Sequence, residues 1–186
     1  TVAGLGGSTI TGASNFSTLT LGQSGAVLDT SMVATGGLAN GLSLSVTDGG
    51  INAGTLSLPA APVNLSSAAG VTVGSMTGGS LAIDAQGAVN IGSASTTGSS
   101  GIRVSTQACN DYGYVACAAT SPIVAATLNA GGTGSIELST YDNGNISVTS
   151  LTAGRDVYVR AGDVYDTSPG FPYTSQATTN NIQLGT

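Results

Sequence analysis

Charge is what this chain of 186 residues has least of. Charged residues make up 6% of it, against about 25% in an average globular domain. Lys, His and Trp are absent; the three cations are Arg103, Arg155 and Arg160, and Glu137 is the one Glu. Without His there is no Ser-His-Asp triad, so that nucleophilic chemistry is excluded. A net charge of −6 with three scattered Arg leaves no basic patch, so nucleic acid is not an expected partner. No apolar run approaches the roughly 18 residues that a membrane-spanning helix needs, and no membrane insertion is expected. The start has neither the charged n-region nor the apolar h-region of a signal peptide. It opens at Thr1-Val2-Ala3-Gly4, already within a repetitive texture, as a mature chain or a piece of a longer one would.

Aromatics are also scarce, at 4%, and scarcity of both kinds suggests disorder. The 40% of apolar residues argue otherwise, because they fall in regular pairs. Between Val71 and Val104 the pairs are Val71/Val73, Leu81/Ile83, Val89/Ile91 and Ile102/Val104, the members of each flanking a single intervening residue. A period of two is a strand, with alternate side chains on opposite faces. The spacer residues are mostly Gly, Ser, Thr and Ala. The phrase returns later: ISVTSLTAGRDVYVRAG overlays VTVGSMTGGSLAIDAQG with one residue of slack, bringing Ile146/Val148 and Val157/Val159 into line with earlier pairs. This is an internal repeat.

The repeat length is read from pair to pair. Val63 to Leu81 and Val71 to Val89 share one spacing; Leu81 to Ile102 and Ile136 to Val157 share another, slightly longer. The unit so defined, roughly 18–21 residues holding two or more short strands, is one coil of a solenoid. A strand pair cannot bury its apolar residues alone, but stacked coils align like residues into ladders, with backbone bonds running between coils at about 4.8 Å. The 29 Gly suit the turns such coils need. The predicted fold is therefore all-β: a parallel β-helix of roughly nine coils, about 40–45 Å long. An antiparallel sandwich is the competing architecture; it expects longer strands and more hairpin signals than Asn40-Gly41, Asp48-Gly49 and Asn143-Gly144 provide.

Two stretches interrupt the rhythm, at about 105–126 and 163–181, and hold five of the eight aromatics: Tyr112, Tyr114, Tyr165, Phe171 and Tyr173. Since the pattern resumes after each, they read as loops on one continuous section covering 1–186. Within the first, Cys109 and Cys117 lie in CNDYGYVAC. A local disulfide closing a polar, Gly-containing surface loop is the preferred reading and implies an oxidising compartment. Two unpaired small apolar side chains are the other reading.

The phrases VTVGSMTGGSLAIDAQGAVNIG, ISVTSLTAGRDVYVRAGDVY and IELSTYDNGNISV resemble the repeats of filamentous-haemagglutinin-type exoproteins, bacterial adhesins exported by two-partner secretion. The resemblance spans most of 41–162. It implies a right-handed parallel β-helix displayed on the bacterial cell surface. The secretion domain of such proteins is not seen here, so the resemblance also implies a section of shaft.

Each candidate site has a plainer reading beside it. Asp156, Asp163 and Asp166, with Asp142 about one coil earlier, are the only acid cluster a polysaccharide-cleaving β-helix could use. Single turn-forming Asp residues explain them equally. Asp142-Asn143-Gly144-Asn145 and Asn110-Asp111 offer hard oxygens, yet the calcium repeat Gly-Gly-x-Gly-x-Asp is missing, so no metal or other cofactor is expected. A regular Thr-x-Thr ladder of the ice-binding kind is approached only by Thr9/Thr11 and Thr18/Thr20. Asn15, Asn64 and Asn145 begin Asn-x-Ser patterns, which a chain rich in Ser and Asn produces by chance. The aromatic loops remain the best binding candidates, for a host glycan or surface protein. The alternatives are that they cover coil edges or join neighbouring rods. The expected function is a non-enzymatic extracellular shaft or filament unit, continued or self-assembled end to end through its terminal coils. The alternative is a carbohydrate-binding or polysaccharide-degrading β-helix.

Overall fold

A computed structural model describes residues 2–3, 19–23, 28–29, 40–47, 49–107, 120–141, 144–162 and 181–185, and the structural statements below concern these. Thirteen strands form one sheet: β1 (Val2–Ala3), β2 (Leu19–Gln23), β3 (Leu28–Asp29), β4 (Leu42–Val46), β5 (Ile51–Ser67), β6 (Val71–Ala85), β7 (Val89–Thr96), β8 (Ile102–Gln107), β9 (Ile123–Ala130), β10 (Ile136–Tyr141), β11 (Ile146–Ala153), β12 (Val157–Ala161) and β13 (Ile182–Leu184). There is no helix among the described residues, and hence none long and apolar enough to cross a membrane.

Every described strand pair is parallel. That rules out the antiparallel sandwich. The chain winds instead as a β-solenoid of about five turns. The first ladder runs Leu42, Val63, Leu81, Ile102, Ile136, Val157, each paired in register with the next. A second runs Ile51, Val71, Val89, Ile123, Ile146, Ile182. All four pair-to-pair spacings that define the repeat in the sequence are observed as registers.

A third ladder follows the second directly on the same strands: Leu56, Met76, Ala94, Leu128 and Leu151. The strands β5 and β6 are thus longer than the short segments the pairs suggest, at 17 and 15 residues, because each carries the chain past two corners. Close approach explains one corner. A Cβ on Gly74 would lie 2.6 Å from the backbone oxygen of Gly54 on the coil below. Only glycine lets the backbones stack that closely there.

Inward residues of the three ladders form one buried cluster, including Leu44, Leu65, Ile83, Val104 and Leu138 of the first ladder. Size varies most in the third ladder. Gly78 has no side chain, and the Met76 methyl sits 2.6 Å from where a Cβ would be, so the flexible thioether fills that space. Of the predicted core positions, Val71, Val73, Leu81, Ile83, Val89, Ile91, Ile102, Val104, Ile136, Leu138, Ile146 and Val148 are buried. Val157 and Val159 keep their register on Ile136 and Leu138, but Val157 is 43% exposed and Val159 is only half-buried. No described strand of their ladder lies beyond β12 to cover them.

Buried hydroxyls close the corner between the first and second ladders. Thr106 and Thr140 are register partners. Thr106 Oγ1 donates to the Ser121 carbonyl at 2.6 Å, and Thr140 Oγ1 to the Gly144 carbonyl at 2.8 Å. Two coils below Thr106 in the same ladder, Ser67 Oγ donates to the Gly49 carbonyl at 2.7 Å. Replacing Thr106 by Val keeps the shape but removes the donor, leaving that carbonyl short of a partner. Thr106→Val is expected to destabilise the protein by about 1–3 kcal/mol, while Thr106→Ser retains most of the stability; urea unfolding curves of the two variants check this.

Candidate functional site

Residues between the inward positions of the first ladder point outward, and they carry most of the described charge. Asn64, Ala82, Arg103, Glu137 and Tyr158 follow one another up the stack, and Ser66, Asp84, Ser105, Ser139 and Arg160 form the adjacent row. Each row is set by strand alternation: Asn64 lies between inward Val63 and Leu65, and Arg103 between inward Ile102 and Val104. The Arg103 guanidinium lies 3.8 Å from the Glu137 carboxylate, with both side chains more than half exposed. Such a pair contributes about 0–1 kcal/mol.

Ala82 interrupts the row with a small side chain. A depression of about 200 Å³ opens there, bounded by Ser43, Asn64, Ser66, Asp84, Arg103 and Ser105. It therefore presents an acceptor-only carboxylate, a guanidinium fork, an amide and three hydroxyls beside a methyl group.

The outward face of the third ladder is different. Thr55, Ser75, Ser93, Thr127 and Ser150 make one row; Ser57, Thr77, Ser95, Asn129 and Thr152 make the next. This face mixes Ser, Thr and Asn, and no coil of it carries the Thr-x-Thr of the ice-binding kind; of Thr9, Thr11, Thr18 and Thr20, Thr20 alone is a described residue. Its hydroxyls bond along the rows, Ser75 Oγ to Thr55 Oγ1 at 3.2 Å and Thr77 Oγ1 to Ser57 Oγ at 3.5 Å. Cross-strand bonds of this kind stabilise the sheet.

Most of the sequence-predicted sites lie outside the described residues. This holds for Tyr112, Tyr114, Tyr165, Phe171, Tyr173, Cys109 and Cys117, and also for Asp142, Asp163, Asp166, Asn110, Asp111, Asn143 and Asn15. Asp156 is described, and its carboxylate accepts a hydrogen bond from Arg155 Nε at 2.8 Å. That bond and the charge of Asp156 raise the Arg155 pKa above its ordinary value. The amide oxygen of Asn145 accepts from the backbone N–H of Asn181, far along the chain, tying two coils together. Among the described residues no three His, Cys, Asp or Glu gather as a metal site.

The first of the two segments read as insertions is narrower than its sequence boundaries, whereas the second keeps its full width between β12 and β13. Strand β8 continues to Gln107, and β9 begins at Ile123. Sequence reasoning passed over Asn64, Ala82, Asp84 and Arg103 as a group. The signal is the middle residue of each apolar pair, in VNL, LAI, IRV, IEL and VYV, read upward through the register. No protein-family model, curated protein or solved structure matches this chain.

Proposed function

We propose that the chain is a section of a non-enzymatic extracellular shaft of the filamentous-haemagglutinin type, a right-handed β-solenoid of some nine coils at the bacterial cell surface. It holds its aromatic loops away from the body for contact with a host glycan or surface protein, and the Cys109–Cys117 disulfide braces one of them. The observation that supports this reading is the register across the insertions. Ile102 pairs directly with Ile136 and Val89 with Ile123, although the whole cysteine segment lies between the two members of each pair. Likewise Ile146 pairs with Ile182 across the second segment. Ladders that keep their register past both segments support this reading.

Mechanically, ladders of backbone bonds and buried aliphatics make a stiff body. The edge formed by β12 and β13 leaves Val157, Ile182 and Leu184 exposed, which suits continuation by a further parallel coil. The test is a chain with Tyr112, Tyr165 and Tyr173 replaced by Ala. Its adhesion to host cells is expected to fall at least tenfold while its unfolding midpoint stays unchanged. Undiminished adhesion by that variant would refute the display role.

A further inference from the structure

We propose that the depression over Ala82 is a binding site for a neutral hexose unit of a glycan chain, built on the outward rows of the first ladder. The depression's volume of about 200 Å³ accommodates one pyranose ring and little more. The chemistry around it is mixed in the way a sugar is mixed. The Asp84 carboxylate only accepts, so it takes the hydrogens of two adjacent hydroxyls; charge makes these the stronger bonds of the site. Arg103 only donates, and its planar fork supplies two N–H groups to ring or hydroxyl oxygens. Asn64 does both, the exposed Ser66 adds an adaptable hydroxyl at the rim, and Ser105 adds one that is itself buried.

The base combines the Ala82 methyl group, which meets the C–H face of a ring, with the strand surface at Leu44, Leu65 and Ile83, whose side chains face the core. Neutrality of the ligand follows from charge. One carboxylate and one guanidinium flank the depression, and the next residue up the row is Glu137, which lies against Arg103. An anionic sugar would meet Asp84 and Glu137 as well as the single guanidinium, so like-charge repulsion selects against it.

The row also gives the ligand a direction. Tyr158 is 60% exposed and stands three coils beyond Ala82, about 14 Å along the stack at the usual strand spacing. A short oligosaccharide seated at Ala82 and laid along the row reaches that ring, whose face stacks on a second sugar.

Direct binding of neutral, uronic-acid and sulfated oligosaccharides to the full chain, by calorimetry, tests the site. Three outward substitutions accompany it: Asp84→Asn, Arg103→Gln and Ala82→Leu, the last filling the depression. The expected result is binding of a neutral oligosaccharide that weakens at least tenfold in each variant, with thermal unfolding unchanged. A variant that melts several degrees lower is judged by the other two. Binding is expected to survive in the Tyr112/Tyr165/Tyr173 variant, which separates this site from the loops. Three outcomes overturn the proposal. One is no neutral sugar bound. A second is neutral binding undiminished in the three variants. The third is preference for sulfated or uronic chains, strengthened by Asp84→Asn and lost with Arg103→Gln.

Discussion

Replacement of Ile83 by Asp is expected to abolish the folded stack. Ile83 sits in the middle of the first ladder, 2% exposed, between Leu65 on one coil and Val104 on the next. A carboxylate there loses its hydration and faces aliphatic side chains on both sides. The cost is several kcal/mol for an unpaired buried ion, to which the lost packing of an aliphatic core residue adds about 2–5 kcal/mol. Together these rival the ~5–15 kcal/mol by which whole domains are stable. In a solenoid each coil is held chiefly by its neighbours, so a failed central coil also separates the coils on either side. Far-UV circular dichroism with temperature checks this. The control is Ala82→Asp, one residue away and outward, expected to stay within about 0.5 kcal/mol of the parent. Equal midpoints for the two variants would contradict the inward assignment of Ile83.

The second large effect is expected at Gly101. Its φ is +64°, in the left-handed region, where an L residue with a Cβ costs about 1–2 kcal/mol. Space is the greater obstacle. A Cβ there would collide with the backbone oxygen and nitrogen of Ser135 on the next coil, and that same oxygen accepts the N–H of Ile102 at 2.9 Å. Gly101→Val therefore combines a disfavoured conformation, β-branching and displacement of an inter-coil hydrogen bond. Its expected cost is about 4 kcal/mol or more, in the range reserved for strain of a named kind. Gly131 makes the comparison. A Cβ at Gly131 meets only the Thr96 oxygen, at 3.3 Å, and its φ lies outside the left-handed region. Gly131→Ala should change stability by no more than about 1 kcal/mol. Urea midpoints of the two variants, measured side by side, decide whether coil contact or mere glycine loss governs the effect.

The first two ladders are legible in the amino-acid order because their residues are large and mostly β-branched at a period of two. Val71/Val73 and Val89/Ile91 announce themselves, and the offset between them is the register found. The third ladder is not legible. Its inward positions include Gly78, Ala94, Thr96 and Ala130, which look like spacer residues until register aligns them with Leu56, Leu58 and Leu128. Met76 compensates for missing volume from a neighbouring position, something no hydropathy pattern encodes. The same holds for Ile123, which enters the second ladder only after an unusually long step from Val89 that contains the cysteine segment.

The hairpin signals, too few for a sandwich, agree with the parallel pairing. Asn40-Gly41 is not a hairpin turn. Gly41 has a φ of +134° and leads into β4, whose partners β2 and β5 are both parallel to it. As for the candidate site, Arg103 stands out in the sequence only as one of three cations. Its neighbours Asn64, Ala82 and Asp84 come together only when β5, β6 and β8 are laid side by side in register.

Parallel, in-register stacking underlies every ladder and row described above, and an engineered disulfide tests it directly. In a Cys109→Ser, Cys117→Ser background, Asn90→Cys is combined with Val124→Cys, its outward register partner on the next coil. Paired strands lie about 4.8 Å apart, within the Cα separation of about 4.4–6.8 Å that a disulfide spans. The account predicts efficient cross-linking of this pair under mild oxidation. It predicts none when Asn90→Cys is combined with Ala125→Cys, because Ala125 faces the core. Cross-linking of the displaced pair, or of neither, would contradict the stacked-coil fold and every site placed upon it.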